Sequence, residues 1–211
     1  MERLIIFNEA NSKTIKIFSY GIAGISLAVA CYKTKPFTKF RKPFSIPSHF
    51  LQQKLQGTVR CIEPGSDTLL MVDHKPLIPL PRLSNTKYLP IKIANLDITT
   101  NGISWLKTIV NGKEITFIPL AIEKNYVTCI ISMQQNKECI KVGEELTKLG
   151  FAIVTKESLK LTVKDKDILN YHTYLLKAQQ WAQYRRNGHW HFVRNPTLLW
   201  KIKYLSEKIF K

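Results

Sequence analysis

Few residues in this chain have types and spacing that point to chemistry. His189 and His191 flank Trp190 and could touch a metal; in a solvated loop they would meet only water. Cys31, Cys61, Cys129 and Cys139 form no C-x-x-C pair, and no histidine stands at zinc-finger spacing from them, so a structural zinc site is not expected. The cysteines read as reduced, mostly buried small apolar residues, with a Cys129–Cys139 bridge across a hairpin as the alternative. The chain carries no Gly-rich phosphate loop, no H-E-x-x-H and no G-x-S-x-G, and no cofactor is expected.

The elements that must position these groups follow from patterning. The 211 residues are 45% apolar, which suits one medium domain plus an appendage. Residues 57–62 alternate, turn at Glu63-Pro64-Gly65-Ser66 and resume over 68–72, a hairpin pattern. A Pro-rich stretch covers 76–90. Strands are predicted over 89–96, 115–118 and 126–133, helices over 103–110 and 142–149. Gly150 closes the second helix, and 151–154 extends away. Several short strands with a helix among them suit a small closed barrel, so the expected class is α+β.

The ends of the chain are different in character. Residues 17–32 read IFSYGIAGISLAVACY without a charge. As a helix this run spans about 24 Å, against a hydrocarbon core of roughly 30 Å, and Lys16, Lys33 and Lys35 can snorkel at its ends. A membrane anchor is expected, with a buried soluble helix as the alternative. Gly24 and Ala28, and Ser26 and Ala30, are four apart, a spacing that lets two membrane helices approach, though such residues are common in these helices anyway. Cys31-Tyr32-Lys33 makes a poor cleavage site, and Glu2 and Glu9 sit where a mitochondrial presequence excludes acids, so the helix reads as an uncleaved anchor.

Lys33, Lys35, Lys39, Arg41 and Lys42 then alternate with Phe37, Phe40 and Phe44. Each cation beside an anionic leaflet contributes about 1 kcal/mol, and the aromatics suit the headgroup layer. With 32 Lys+Arg against 15 Asp+Glu, the formal charge is +17, which attracts polyanions; nucleic acid and anionic lipid headgroups both qualify, and net charge alone does not choose between them. At the other end a helix is predicted over 167–186. Asn195-Pro196 stops and restarts the chain, and Leu198, Ile202, Leu205 and Ile209 form one stripe. That stripe could pack on the domain, lie on a membrane or pair with another copy. The expected organisation is a tail (1–16), a transmembrane anchor (17–35), a basic Pro/Phe linker (36–52), a barrel (53–163) and basic C-terminal helices (164–211).

The order of motifs resembles the staphylococcal-nuclease version of the OB fold over roughly residues 55 to 192. Asp67-Thr68, the segment from Lys92 to Asp97, the helix from Val142 to Gly150 and the helix running to Gly188-His189-Trp190 carry the resemblance. It implies Ca²⁺ held by acidic side chains, a Glu general base and two Arg phosphate clamps. Asp67 and Asp97 match the metal-binding Asp positions, and Lys92, five positions before Asp97, replaces the first Arg. Two carboxylates can still attract a cation weakly, while Asp in a turn commonly does no more than hydrogen-bond its own backbone. Thr100 stands at the Glu position, and Asn125-Tyr126 stands where the second Arg belongs. The resemblance therefore implies a degenerate site rather than an enzyme. The whole layout, with GTVRCI…DTLLMVDHKPLIP, resembles the mitochondrial inner-membrane subdomain organizer family. That likeness implies a self-associating, non-enzymatic inner-membrane scaffold that affects mitochondrial fission and mitochondrial DNA maintenance, with other inner-membrane proteins as possible partners. The endoplasmic reticulum membrane is the alternative location. A membrane-tethered nucleic-acid-binding module and a residual Ca²⁺-dependent nuclease are the alternative functions.

Overall fold

A computed structural model describes residues 19–32, 37–65, 67–78, 87–135, 138–155 and 166–191. The chain divides into two units, one ending at Lys39 and including Pro76 to Leu83, the other beginning at Phe40. In the first, residues 19–32 form helix α1, exposed at every residue from 19 to 30. Among the described residues no helix is long and apolar enough to cross a membrane. The described part of α1 spans only about 21 Å at roughly 1.5 Å per residue. Residues 17–18 and 33–35 of the expected anchor lie outside the described residues.

Among its described residues the second unit holds eight strands: β1 Leu55–Glu63, β2 Leu69–Lys75, β3 Leu89–Ile93, β4 Leu96–Ile98, β5 Glu114–Ile122, β6 Val127–Gln135, β7 Glu138–Lys141 and β8 Ala152–Val154. Helices α2 Thr100–Ile109, α3 Val142–Lys148 and α4 Lys166–Arg185 accompany them. The class is α+β, with a largely antiparallel sheet in the order β3-β2-β1-β5-β6-β7. β3 also pairs in parallel with β6, Ile91 to Ile93 lying opposite Val127 to Cys129. The pairing β3-β2-β1-β5-β6 thus returns to β3. Alternation drives this arrangement: β2 turns Leu70, Val72 and His74 inward and leaves Leu69, Met71 and Asp73 half-buried. β6 pairs with β5 along most of its length, with β3 at its start and with β7 at its end, and it is buried continuously from Val127 to Ile131. The register slips between Pro119 and Ala121, where proline cannot donate to a ladder.

Four expectations change. The strand predicted over 89–96 breaks at Ala94-Asn95. Asn95 takes a left-handed φ of 58°, and Leu96–Ile98 turns away to pair with β8 in a second, two-stranded sheet. β7, absent from the sequence reading, adds to the free half of β6.

Cys129 is buried, but Cys61 and Cys139 are exposed, and all four cysteines are free. Cys129 lies opposite Pro119 while Cys139 lies opposite Gln134, so no hairpin bridge can join them.

The fourth change concerns the linker. Phe40 is 1% exposed and belongs to the core with Ile46 and Phe50. Its ring lies 5.2 Å from Phe50 and 4.7 Å from His74, and its N–H donates to His74 Nδ1 at 3.3 Å. Short 3-10 turns at Pro43–Ser45 and Ser48–Phe50, begun by Pro43 and Pro47, fold this segment back. The domain therefore starts at Phe40, not at Gln53, and Phe40 is unavailable to a headgroup layer. Phe37 and Phe44 remain exposed.

α4 packs against α3 and β8 through Ile168, Tyr171 and Leu175, and Gln179 Oε1 accepts the Val154 N–H at 2.8 Å. Tyr171 donates to the Ala94 carbonyl at 3.4 Å. Burial, with the Glu144 charge adding, pushes its phenol far above the usual 10.0. A raised folded value means that the stabilising contribution is complete below pH ~10 and fades as pH rises above it. Stability of the chain is accordingly expected to fall steeply above pH ~10 in urea titrations, and Tyr171→Phe to flatten that fall.

Candidate functional site

The geometry around Lys92 begins with strand pairing. β2 and β3 align so that Leu69 lies opposite Lys92, which brings the turn before β2 alongside the Lys92 side chain. The Ala94-Asn95 turn then carries the chain to Asp97 on β4. Asp67, Thr68, Lys92, Leu96, Asp97, Ile98 and Thr155 line one cleft of about 230 Å³. The three residues singled out in the sequence are thereby brought together.

Inside the cleft Lys92 Nζ lies 2.9 Å from Asp67 Oδ1, with the Lys92 side chain 13% exposed and that of Asp67 42%. The ammonium also sits over the Tyr126 ring, 5.4 Å from its centroid. Tyr126 belongs to the pair standing where the second clamp was sought, and it supports Lys92 with a π-face instead of adding a cation. Asp97 is exposed, as is Thr100 at the head of α2.

Thr155 is the residue the sequence reading missed. Its N–H donates to the Asn95 carbonyl at 2.9 Å, and its hydroxyl is buried with no hydrogen-bond partner. Only the β4–β8 pairing brings it here, across a long stretch of intervening chain.

Ca²⁺ takes roughly six to eight oxygen ligands, mostly carboxylates and carbonyls. This cleft offers two carboxylates, and one of them already faces an ammonium at ion-pair distance. No group of three or more Asp, Glu, His or Cys that could hold a metal occurs among the described residues. The residues present do not fit a Ca²⁺ site. They also depart from the phosphoryl machinery that the resemblance implies: Thr100, at the position of the Glu base, is exposed at the head of α2, and Lys92 lacks a planar bidentate fork.

The other candidates are scattered. His189 is exposed with its ring edge-on to Trp190 at 5.4 Å, and His191 is exposed at the end of the last 3-10 turn. Of the basic stretch, Lys42 is exposed, Lys39 and Arg41 are half-buried, and Lys33 and Lys35 lie outside the described residues. Leu198, Ile202, Leu205 and Ile209 also lie outside them. On α4, Leu169, Leu176, Trp181 and Tyr184 are exposed, with Arg185 over the Trp181 ring at 4.8 Å. In comparisons with known proteins, no family model and no curated protein matches the chain.

Proposed function

We propose that the protein is a non-enzymatic membrane-anchored scaffold: an N-terminal helix holds a basic, nuclease-like OB domain at a bilayer, where copies associate. The observation that carries this reading is α1. Tyr20, Ile22, Ile25, Leu27 and Val29 are all exposed, Ile25 at 68% and Leu27 at 66%. A helix that shows an apolar surface on every side calls for an apolar surrounding. The returning strand order with its parallel β3–β6 pair supports the OB reading of the domain. The +17 charge favours an anionic leaflet. Exposed Leu169, Leu176 and Tyr184 on α4 offer apolar surface, in keeping with self-association. The layout's likeness to the inner-membrane subdomain organizer family makes the mitochondrial inner membrane the proposed location.

Carbonate extraction of organelles with intact-mass analysis tests the anchor: an uncleaved, carbonate-resistant chain is expected, and a soluble or shortened one defeats the reading. With reconstituted full chain, binding to cardiolipin-containing vesicles should exceed binding to neutral ones and weaken with salt, over a screening length of about 8 Å at physiological ionic strength. Light scattering on the same samples should show oligomers.

The second reading, a tethered nucleic-acid module, draws on the same charge. It predicts salt-steep DNA or RNA binding by a chain indifferent to lipid charge. As for chemistry, single-stranded DNA should survive incubation with and without Ca²⁺. Turnover that Asp67→Ala abolishes would sink the pseudoenzyme reading.

A further inference from the structure

We infer that Lys92 is a tethered counter-ion: its ammonium takes the electrostatic place of a divalent cation in the Asp67–Asp97 cleft, and the domain holds that cleft without metal. The inference rests on the nuclease-like reading only for the expectation that a metal belongs there; the geometry itself belongs to this chain. Lys92 sits on β3 with hydrogen-bonded neighbours on both sides, β2 antiparallel and β6 parallel, so its backbone has little freedom. Its side chain is nearly enclosed, with the ammonium between the Asp67 carboxylate and the Tyr126 ring. A calcium ion must approach a carboxylate oxygen to roughly 2.3–2.6 Å. At Asp67 it would meet a positive charge already 2.9 Å from the same oxygen. Displacing that charge would take the ammonium from both its carboxylate and its aromatic face. Asp97, exposed to solvent, keeps its charge hydrated and needs no partner. One substitution therefore separates a cleft in which Lys92 offsets the Asp67 carboxylate from one with two uncompensated carboxylates.

Terbium luminescence tests this, since Tb³⁺ replaces Ca²⁺ at oxygen sites and Tyr126 stands within antenna distance. The full chain is used in detergent micelles, with Asp97→Asn defining the signal that belongs to the cleft. Wild type and Lys92→Arg, which keeps the charge, should show no Asp97-dependent luminescence. Lys92→Met should gain it, with Tb³⁺ affinity at least about tenfold above wild type and competition by Ca²⁺. An Asp97-dependent signal in wild type, or a folded Lys92→Met without one, overturns the inference. Should Lys92→Met not fold, Lys92→Gln takes its place. The wild-type thermal midpoint also stands as an independent measurement: it should be the same in EDTA and in excess Ca²⁺, and a rise with Ca²⁺ overturns the proposal. None of these readouts involves lipid binding or oligomerisation, so failure here is distinct from failure of the scaffold reading.

Discussion

Gly150→Ala is expected to destabilise the domain by about 3 kcal/mol or more, enough to leave a marginal domain largely unfolded. Gly150 ends α3 with a φ of +73°, the left-handed conformation that stops a helix and that L side chains rarely adopt. Its α-hydrogens face the far end of α4. Asn187 Nδ2 donates to the Lys148 carbonyl at 3.0 Å, capping α3, and the His189 N–H donates to the Gly150 carbonyl at 2.9 Å. A methyl group on Gly150 would fall inside the contact shell of the Asn187 carbonyl oxygen. Backbone cannot swing aside as a side chain can, so the two helix ends must part and lose both bonds. Gly112→Ala is the matched control. Its φ is +76° but its added methyl meets nothing within 4 Å, so only the conformational cost of about 1 kcal/mol should appear. Urea titrations followed by tryptophan fluorescence compare the two, and equal midpoints would remove the helix-end contact from the account.

Phe40→Ala should cost about 3–5 kcal/mol, the usual loss for a fully buried phenylalanine, whereas Phe44→Ala should stay within about 0.5 kcal/mol. The two residues lie in the same basic, proline-punctuated stretch, yet Phe40 is 1% exposed and Phe44 72%. Phe40 packs against Phe50, His74 and the core around Phe117, and its N–H bond to His74 depends on that seating. If the aromatics served only the headgroup layer, both variants would leave unfolding unchanged and weaken vesicle binding alike. If Phe40 is core, its loss should shift the urea midpoint at constant slope and expose the linker to protease, while Phe44→Ala affects at most vesicle binding.

Local chemistry made much of this protein legible in one dimension. The alternation of β1 and β2, the glycine stop after α3 and the uncharged run over 17–32 each depend on near neighbours along the chain. Asp67, Lys92 and Asp97 stood out through their likeness to the nuclease motifs, which are also local in sequence. Their meeting was not legible, because it depends on the β2–β3 register across a proline-rich connection and on the left-handed turn at Asn95. Thr155 enters the cleft only through the β4–β8 pairing.

Burial was the other decision left to tertiary structure. Phe40 and Phe44 are chemically identical, and only the fold-back through two 3-10 turns gives one of them partners. On α4, Leu175 is buried while neighbouring Leu176 is exposed, because the helix presents one side to α3 and β8. Composition can state that such residues favour burial; which of them obtain it depends on closing contacts between distant segments, whose entropy cost and shape fit are properties of the assembled fold.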